Sequence, residues 1–225
     1  VKRTLLAPLL VVVAFVAWSQ DRAQIDLTQP WHVLFYETID QAMVDEVTTM
    51  IRAGYLPVGM ELLSESGLAM LLVRGSMDNL QNWRITQYND WNSLQTEIQG
   101  MIEGGLVPMA ISRHGIGLSV LWVTATMEIA DWYIGAEPNT PIERVRFINN
   151  LQGRGFTLWG ISVYEDLVWM LFLDRPNSQQ RTGTVTAFDR DAMDLANGIN
   201  QAWADGWRPN GIALVDDAIY VCFSR

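Results

Sequence analysis

Gly54, Gly105, Gly155 and Gly206 lie 51, 50 and 51 residues apart, and the segments they begin align without a gap: Gly54-Tyr-Leu-Pro-Val-Gly-Met60, Gly105-Leu-Val-Pro-Met-Ala-Ile111, Gly155-Phe-Thr-Leu-Trp-Gly-Ile161 and Gly206-Trp-Arg-Pro-Asn-Gly-Ile212. A fixed period of this length marks a chain assembled from copies of one supersecondary unit, none of which can bury its own apolar face alone. The period decides the architecture and leaves the activity open.

Each glycine follows a helix-like stretch and precedes a strand-like one. A first strand-like run begins 22 or 23 residues upstream, at Trp31, Trp83, Trp132 and Gly183. Between run and glycine, Asp40, Asp90, Thr140 with Pro141, and Asp191 offer helix-starting chemistry, because a short polar side chain accepts the orphan N–H groups of the first turn. The glycine then supplies the left-handed residue that ends a helix. Apolar residues at helical spacing predict one buried stripe per helix: Met43, Val47, Met50 and Ile51, then Leu94, Ile98, Met101 and Ile102, then Ile142, Val145, Ile148 and Leu151. Beyond the glycine two β-rich runs flank a polar break, as in Met60 to Leu63 and Leu68 to Val73. The predicted fold class is α+β, with four tandem strand-helix-strand-strand repeats of about 50 residues at 31–82, 83–131, 132–182 and 183–225, forming one domain.

One such unit leaves a helix face and a sheet face bare, so the four must pack together, either in an open array or in a ring closed with pseudo-fourfold symmetry. Closure is the expectation. No unit has the polar face of a capping repeat, and an open array would leave the run Ile219-Tyr-Val-Cys-Phe223 as an apolar edge.

Ahead of the repeats, Lys2 and Arg3 precede an apolar run from Leu5 to Trp18 that ends in Ala17-Trp-Ser19, the pattern of a secretory signal peptide. The run is shorter than the roughly 20 residues that span a bilayer, so residues 1–19 are expected to direct export to the periplasm or cell exterior, with 20–30 as a linker. An uncleaved N-terminal membrane anchor is the alternative. The single cysteine, Cys222, is too far from this run to carry a lipid and has no partner for an internal disulfide, so stability must come from the core.

The formal charge is −10. Loss of Lys2 and Arg3 would take it from −10 to −12, which disfavours nucleic acid or an anionic membrane and favours cationic ligands or basic partners. Lys2 is also the only lysine, so the processed chain has no Schiff-base or phosphate-loop lysine. A nucleophilic site would have to draw on His32 or His114, and no Gly-x-Ser-x-Gly elbow or zinc-ligand spacing occurs. No catalytic residue is assigned. A glycosidase needs only two carboxylates roughly 5 to 10 Å apart, so a carboxylate-dependent hydrolase stays open as an alternative function.

The helix followed by Gly206-Trp-Arg-Pro209, an apolar strand and Ile219-Tyr-Val-Cys-Phe223 resembles the bacterial tandem repeat found ahead of serine-hydrolase domains such as those of polyglycine hydrolases. That resemblance covers residues 31 to 225 as a pattern. It implies an accessory binding or scaffold module, since the hydrolase serine of that family lies in a separate domain. The strand-helix-strand-strand order is also similar to the module duplicated in small-molecule-binding regulators of the GyrI type.

Two surfaces are candidate sites. Alternation along the first strands places Trp31, Val33 and Phe35 on one face and leaves a second, mixed polar and aromatic face for a ligand, including His32, Tyr36, Arg84, Tyr88, Tyr133 and Glu137. In a closed ring that face would line a central channel. The breaks between second and third strands would gather Glu65, Glu165, Asp166, Asp216 and Asp217 on a rim able to hold calcium or a basic partner; polar turns carry such residues for solvation alone. Of the ten tryptophans, Trp91, Trp122, Trp159, Trp169, Trp203 and Trp207 depart from the repeat and are the better candidates for function, although burial in the core is the commoner role of such residues. No other cofactor is implied. The expected function is an exported, non-enzymatic binding or scaffold module for an unidentified ligand or protein partner, with a self-assembling cell-envelope protein as a further alternative and homo-oligomers permitted.

Overall fold

The computed structural model describes residues 25–63, 67–75, 77–78, 80–114, 117–176, 182–215 and 218–225. These form an α+β fold with four helices and four three-stranded antiparallel sheets, one of each per repeat. The first unit comprises β1 (Trp31–Tyr36), α1 (Gln41–Arg52), β2 (Tyr55–Leu62) and β3 (Leu68–Arg74), and the second β4 (Trp83–Tyr88), α2 (Trp91–Glu103), β5 (Leu106–His114) and β6 (Gly117–Thr124). The third comprises β7 (Asp131–Pro138), α3 (Pro141–Gln152), β8 (Thr157–Tyr164) and β9 (Leu167–Asp174), and the fourth β10 (Gly183–Asp189), α4 (Ala192–Ala204), β11 (Arg208–Val215) and β12 (Ala218–Ser224).

The helix signals act as read. Asp40, Asp90, Thr140 and Asp191 each accept a backbone N–H of the first turn, at 3.0, 2.9, 3.3 and 2.9 Å. The four repeat glycines follow the helices with φ between 83° and 99°, a region that side-chain-bearing residues avoid.

Within each sheet the third strand of the unit lies in the middle, between the first and the second. The run Ile219 to Phe223 is therefore no edge: β12 pairs with β10 on one side and β11 on the other. The second strands β2, β5, β8 and β11 each carry a register shift at the same offset, between Pro57 and Gly59, Pro108 and Ala110, Leu158 and Gly160, and Pro209 and Gly211. An extra residue there bends the strand and re-aims one side chain. Proline is admissible because these strands lie at the edge of their sheets.

Each helix is wedged between its own sheet and the sheet of the next unit. Met43, Val47 and Met50 of α1 pack with Met60 and Leu72 of their own unit and with Leu121 and Val123 of the second. Leu94 and Ile98 of α2 pack with Trp122 and with Ile134 and Leu171 of the third unit. Ile148 and Leu151 of α3 share a core with Phe172 and with Ala213 and Cys222 of the fourth. Leu195 and Ile199 of α4 join Ile212 and Phe223 to Leu71 and Val73 of the first unit. The repeated tryptophans seal three of these junctions, each donating its indole N–H to the preceding helix: Trp83 to Thr48 at 3.1 Å, Trp132 to Gln99 at 3.2 Å, and Trp31 to Asn200 of α4 at 2.9 Å.

The fourth first strand has Gly183 where the others have tryptophan, and its junction is built differently. A Cβ at Gly183 would meet Gln152 Nε2 at 2.9 Å, so the helix fills the space that the tryptophan would take. Arg144 is buried as well, hydrogen-bonded to Asn139 Oδ1 and stacked 5.3 Å from the centre of the Tyr220 ring. The predicted stripe on α3 is corrected accordingly. Ile148 and Leu151 are buried, but Ile142 and Val145 are 78% and 55% exposed, and Arg144 and Gln152 occupy the inward positions.

Candidate functional site

The second strands of the four units approach one another closely, and small residues make the approach possible. A Cβ on Gly59 would lie 2.9 Å from the backbone nitrogen of Ile212, and one on Gly211 would lie 3.1 Å from that of Ile161. A Cβ on Gly160 would meet the Cα of Ala110 at 3.4 Å. Because the strands meet edge to edge, their outward N–H groups need partners. Leu62 N–H donates to Ser112 Oγ at 2.9 Å, and Arg113 N–H donates to Ser162 Oγ at 2.8 Å.

Two steps beyond the small residue, the units carry Glu61, Ser112, Ser162 and Ala213, all buried. The hydroxyls of Ser112 and Ser162 donate to the same Glu61 Oε1, at 3.3 and 3.4 Å, while Oε2 has no partner. Burial raises the Glu61 pKa well above the usual carboxylate range, and the two hydroxyls only partly oppose the shift. The carboxyl group lies buried at the meeting point of three repeats.

On the other side of the small residue lies the bulge, whose extra residues are Val58, Met109, Trp159 and Asn210. All four line one pocket of about 550 Å³, so every unit contributes a different side chain to the same space. Met77 and Met127 extend its apolar surface, and Arg74, Arg175, Arg208, Asp78 and Glu128 complete its charged part. The Arg74 guanidinium is turned toward the first unit, bonded to the Leu27 carbonyl and to Tyr55 Oη. Arg208 donates to the carbonyls of Trp203 and Trp207 and stacks 4.0 Å from the centre of the Trp203 ring. Arg175 lies over Trp159, 5.4 Å from its ring centre. Asn210 donates from Nδ2 to the Leu158 carbonyl at 2.7 Å, leaving Oδ1 buried without a partner. A second pocket of about 490 Å³ lies between α1 and Trp83, beside the Thr48–Trp83 bond.

The residues expected on the first-strand face are not gathered into one surface. The first strands are the edge strands opposite those that meet between units, so they line no central channel. Their second face turns to the helix of its own unit: Tyr36 and Leu34 pack with Met43 and Val47, and Tyr88 packs with Leu94 and Ile98. His32 packs 5.2 Å from the Tyr55 ring centre, and burial lowers its pKa against the opposing pull of Asp26. Arg84 donates to the Met101 sulfur at 3.1 Å, and Tyr133 lies edge-on to Phe147 at 5.9 Å. Glu137, in the strand β7, is half-buried. On the proposed acidic rim, Glu165 and Asp166 are exposed in the turn between β8 and β9, where Glu165 has φ 53°; Glu65, Asp216 and Asp217 lie outside the described residues. Among the described residues no three histidine, cysteine or acidic side chains converge as a metal site.

Sequence reasoning passed over Glu61 and, Trp159 apart, the bulge residues. The signals were present: prolines at one offset in three units mark the bulge, and Glu61, Ser112 and Ser162 are polar residues at one offset in otherwise apolar strands.

No protein-family model matches the chain, and no curated protein matches it in sequence.

Proposed function

We propose that the chain is a non-enzymatic binding module, exported by way of residues 1–19, whose four units close on themselves with pseudo-fourfold symmetry around one ligand seat. The seat is the pocket at the bulges. The observation that carries this reading is that four equivalent bulges deliver four chemically different side chains, Val58, Met109, Trp159 and Asn210, to one space of about 550 Å³. A purely structural repeat has no need to diversify that position, whereas a concave space lined by both apolar and polar side chains can orient a small molecule. Closure is supported by the packing of Leu71 and Val73 of the first unit into the core of the fourth. The reading agrees with the accessory role implied by the resemblance to repeats that precede serine-hydrolase domains.

The test is a thermal-shift panel of sugars, short peptides, organic amines and organic acids, repeated on Val58→Trp, whose half-buried side chain is enlarged to fill the pocket. A ligand specific to the folded state raises the melting temperature. A shift present in the wild type and lost in the filled variant is the expected result. Shifts that survive filling would place the seat elsewhere, and a panel without any shift would overturn the binding reading in favour of a scaffold.

A further inference from the structure

Given that the pocket at the bulges is the binding seat, the space beside it bears on the shape of the ligand. The bulge pocket and the second pocket share three wall residues, Leu56, Gly75 and Met77, so the two adjoin. At about 550 and 490 Å³ each could hold a compact small molecule by itself. Two in line suit a longer one. Gly75 keeps the shared wall thin, since even a Cβ there would meet Leu56 Cδ1 at 3.1 Å.

The polar groups along this path are of both kinds. Arg74 and Arg208 each commit one guanidinium nitrogen and keep further N–H groups to donate. Asp78 and Glu128 are exposed carboxylates, and Asn210 Oδ1 is an unpartnered acceptor. The hydroxyls of Thr126 and Ser224 can serve either way. Past Gly75, the exposed amides of Gln81 and Asn82 bring a donor and an acceptor each. A ligand that meets donors and acceptors at intervals must carry both at intervals, as a peptide backbone does. Among these groups lie Met77, Met109 and Met127, whose unbranched thioethers adapt to varied side chains. An oligosaccharide also alternates donors and acceptors, but sugar rings stack on bare aromatic faces. Trp159, the one aromatic residue lining the bulge pocket among the described residues, has Arg175 over its ring and packs against the cores built on α1 and α2.

We infer that the seat binds a short peptide, laid from the bulge pocket past Gly75 into the space between α1 and Trp83.

Calorimetric titration of the whole chain with Ala-Leu, Ala-Leu-Ala-Leu and maltotetraose tests the inference. The tetrapeptide is expected to bind at least about tenfold more tightly than the dipeptide, and maltotetraose more weakly than either. In Gly75→Leu, whose side chain crowds the shared wall, the gain with length should vanish while the dipeptide still binds. Gly75 is exposed and its φ lies outside the left-handed region, so this variant should keep the wild-type melting temperature. In Val58→Trp both peptides should lose affinity. Equal affinity of the two peptides, or a length gain that survives Gly75→Leu, would sink the inference while leaving the seat in place, provided that Val58→Trp abolishes binding. Tighter binding of maltotetraose, lost in Val58→Trp, would have the same meaning. Peptide binding unchanged by Val58→Trp would overturn the seat itself. Binding of none of the three probes would overturn the peptide assignment, and the broader panel then decides the fate of the seat.

Discussion

The bulge layer and the layer that holds Glu61 are built from the same four strands, three residues apart, yet one is an open pocket and the other a buried junction. In the bulge layer each unit presents a different side chain to a shared space. In the inner layer the side chains are short in three units, and the one long residue, Glu61, reaches across to both serines. Between them stands the small residue, Gly59, Ala110, Gly160 or Gly211, whose lack of bulk lets the strands touch. The contrast teaches that repetition fixes the backbone, while divergence at single positions gives each layer its chemistry.

The comparison breaks most completely where both layers depend on the same approach. Gly59→Val would drive its side chain into the Ile212 backbone, which cannot swing aside as a flexible side chain would. A loss of about 3 kcal/mol in urea unfolding is expected, with Ala42→Val, exposed on α1, as the control. A loss below about 1 kcal/mol would show that the strands can separate without consequence.

Next in size is the pH response of the inner layer. Above the ordinary glutamate pKa of 4.5 and below its raised native value, the folded state holds a proton on Glu61 that the unfolded chain has released. Stability from this group is therefore complete below the ordinary value and declines as pH rises, by about 1.4 kcal/mol per unit. Glu61→Gln keeps the shape, cannot ionise, and should flatten that slope relative to the wild type. Parallel stability-against-pH curves for the two proteins would mean that Glu61 ionises freely in the folded state.

The smallest effect belongs to the bulge layer. Asn210→Ala removes one hydrogen bond, to the Leu158 carbonyl, together with an unpartnered buried oxygen, so the net cost should stay near 1 kcal/mol or below. A loss of several kcal/mol in the same unfolding assay would make this layer structural rather than divergent.

Much of this organisation was legible in the chain. The glycine period, the four N-caps and the order of strand and helix depend on local chemistry, and local chemistry is written in adjacent residues. Facing directions were less legible, because they depend on a distant partner. Ile142 and Val145 have the spacing of a buried stripe, but α3 turns Arg144 and Gln152 inward to meet Tyr220 and Gly183 of the next unit. The first-strand face has the alternation of a half-exposed sheet, and nothing local reveals that the helix of the same unit covers it. Alternation alone also cannot tell that the third strand of each unit inserts between the first two, which is why Ile219 to Phe223 read as an edge. Glu61 was hidden for a related reason: its partners Ser112 and Ser162 lie 51 and 101 residues away.

The wedging of each helix between two sheets also bears on the order in which the molecule assembles. Three of the shared cores join units that follow directly along the chain, so each brings together residues of two successive repeats. The core of α4 with Leu71 and Val73 instead brings together residues more than a hundred positions apart, and the entropy of closing a loop grows with its length. Loop-closure entropy therefore predicts that this contact forms late in folding, and the indole N–H of Trp31, donated to Asn200 Oδ1, is one of the hydrogen bonds that span it.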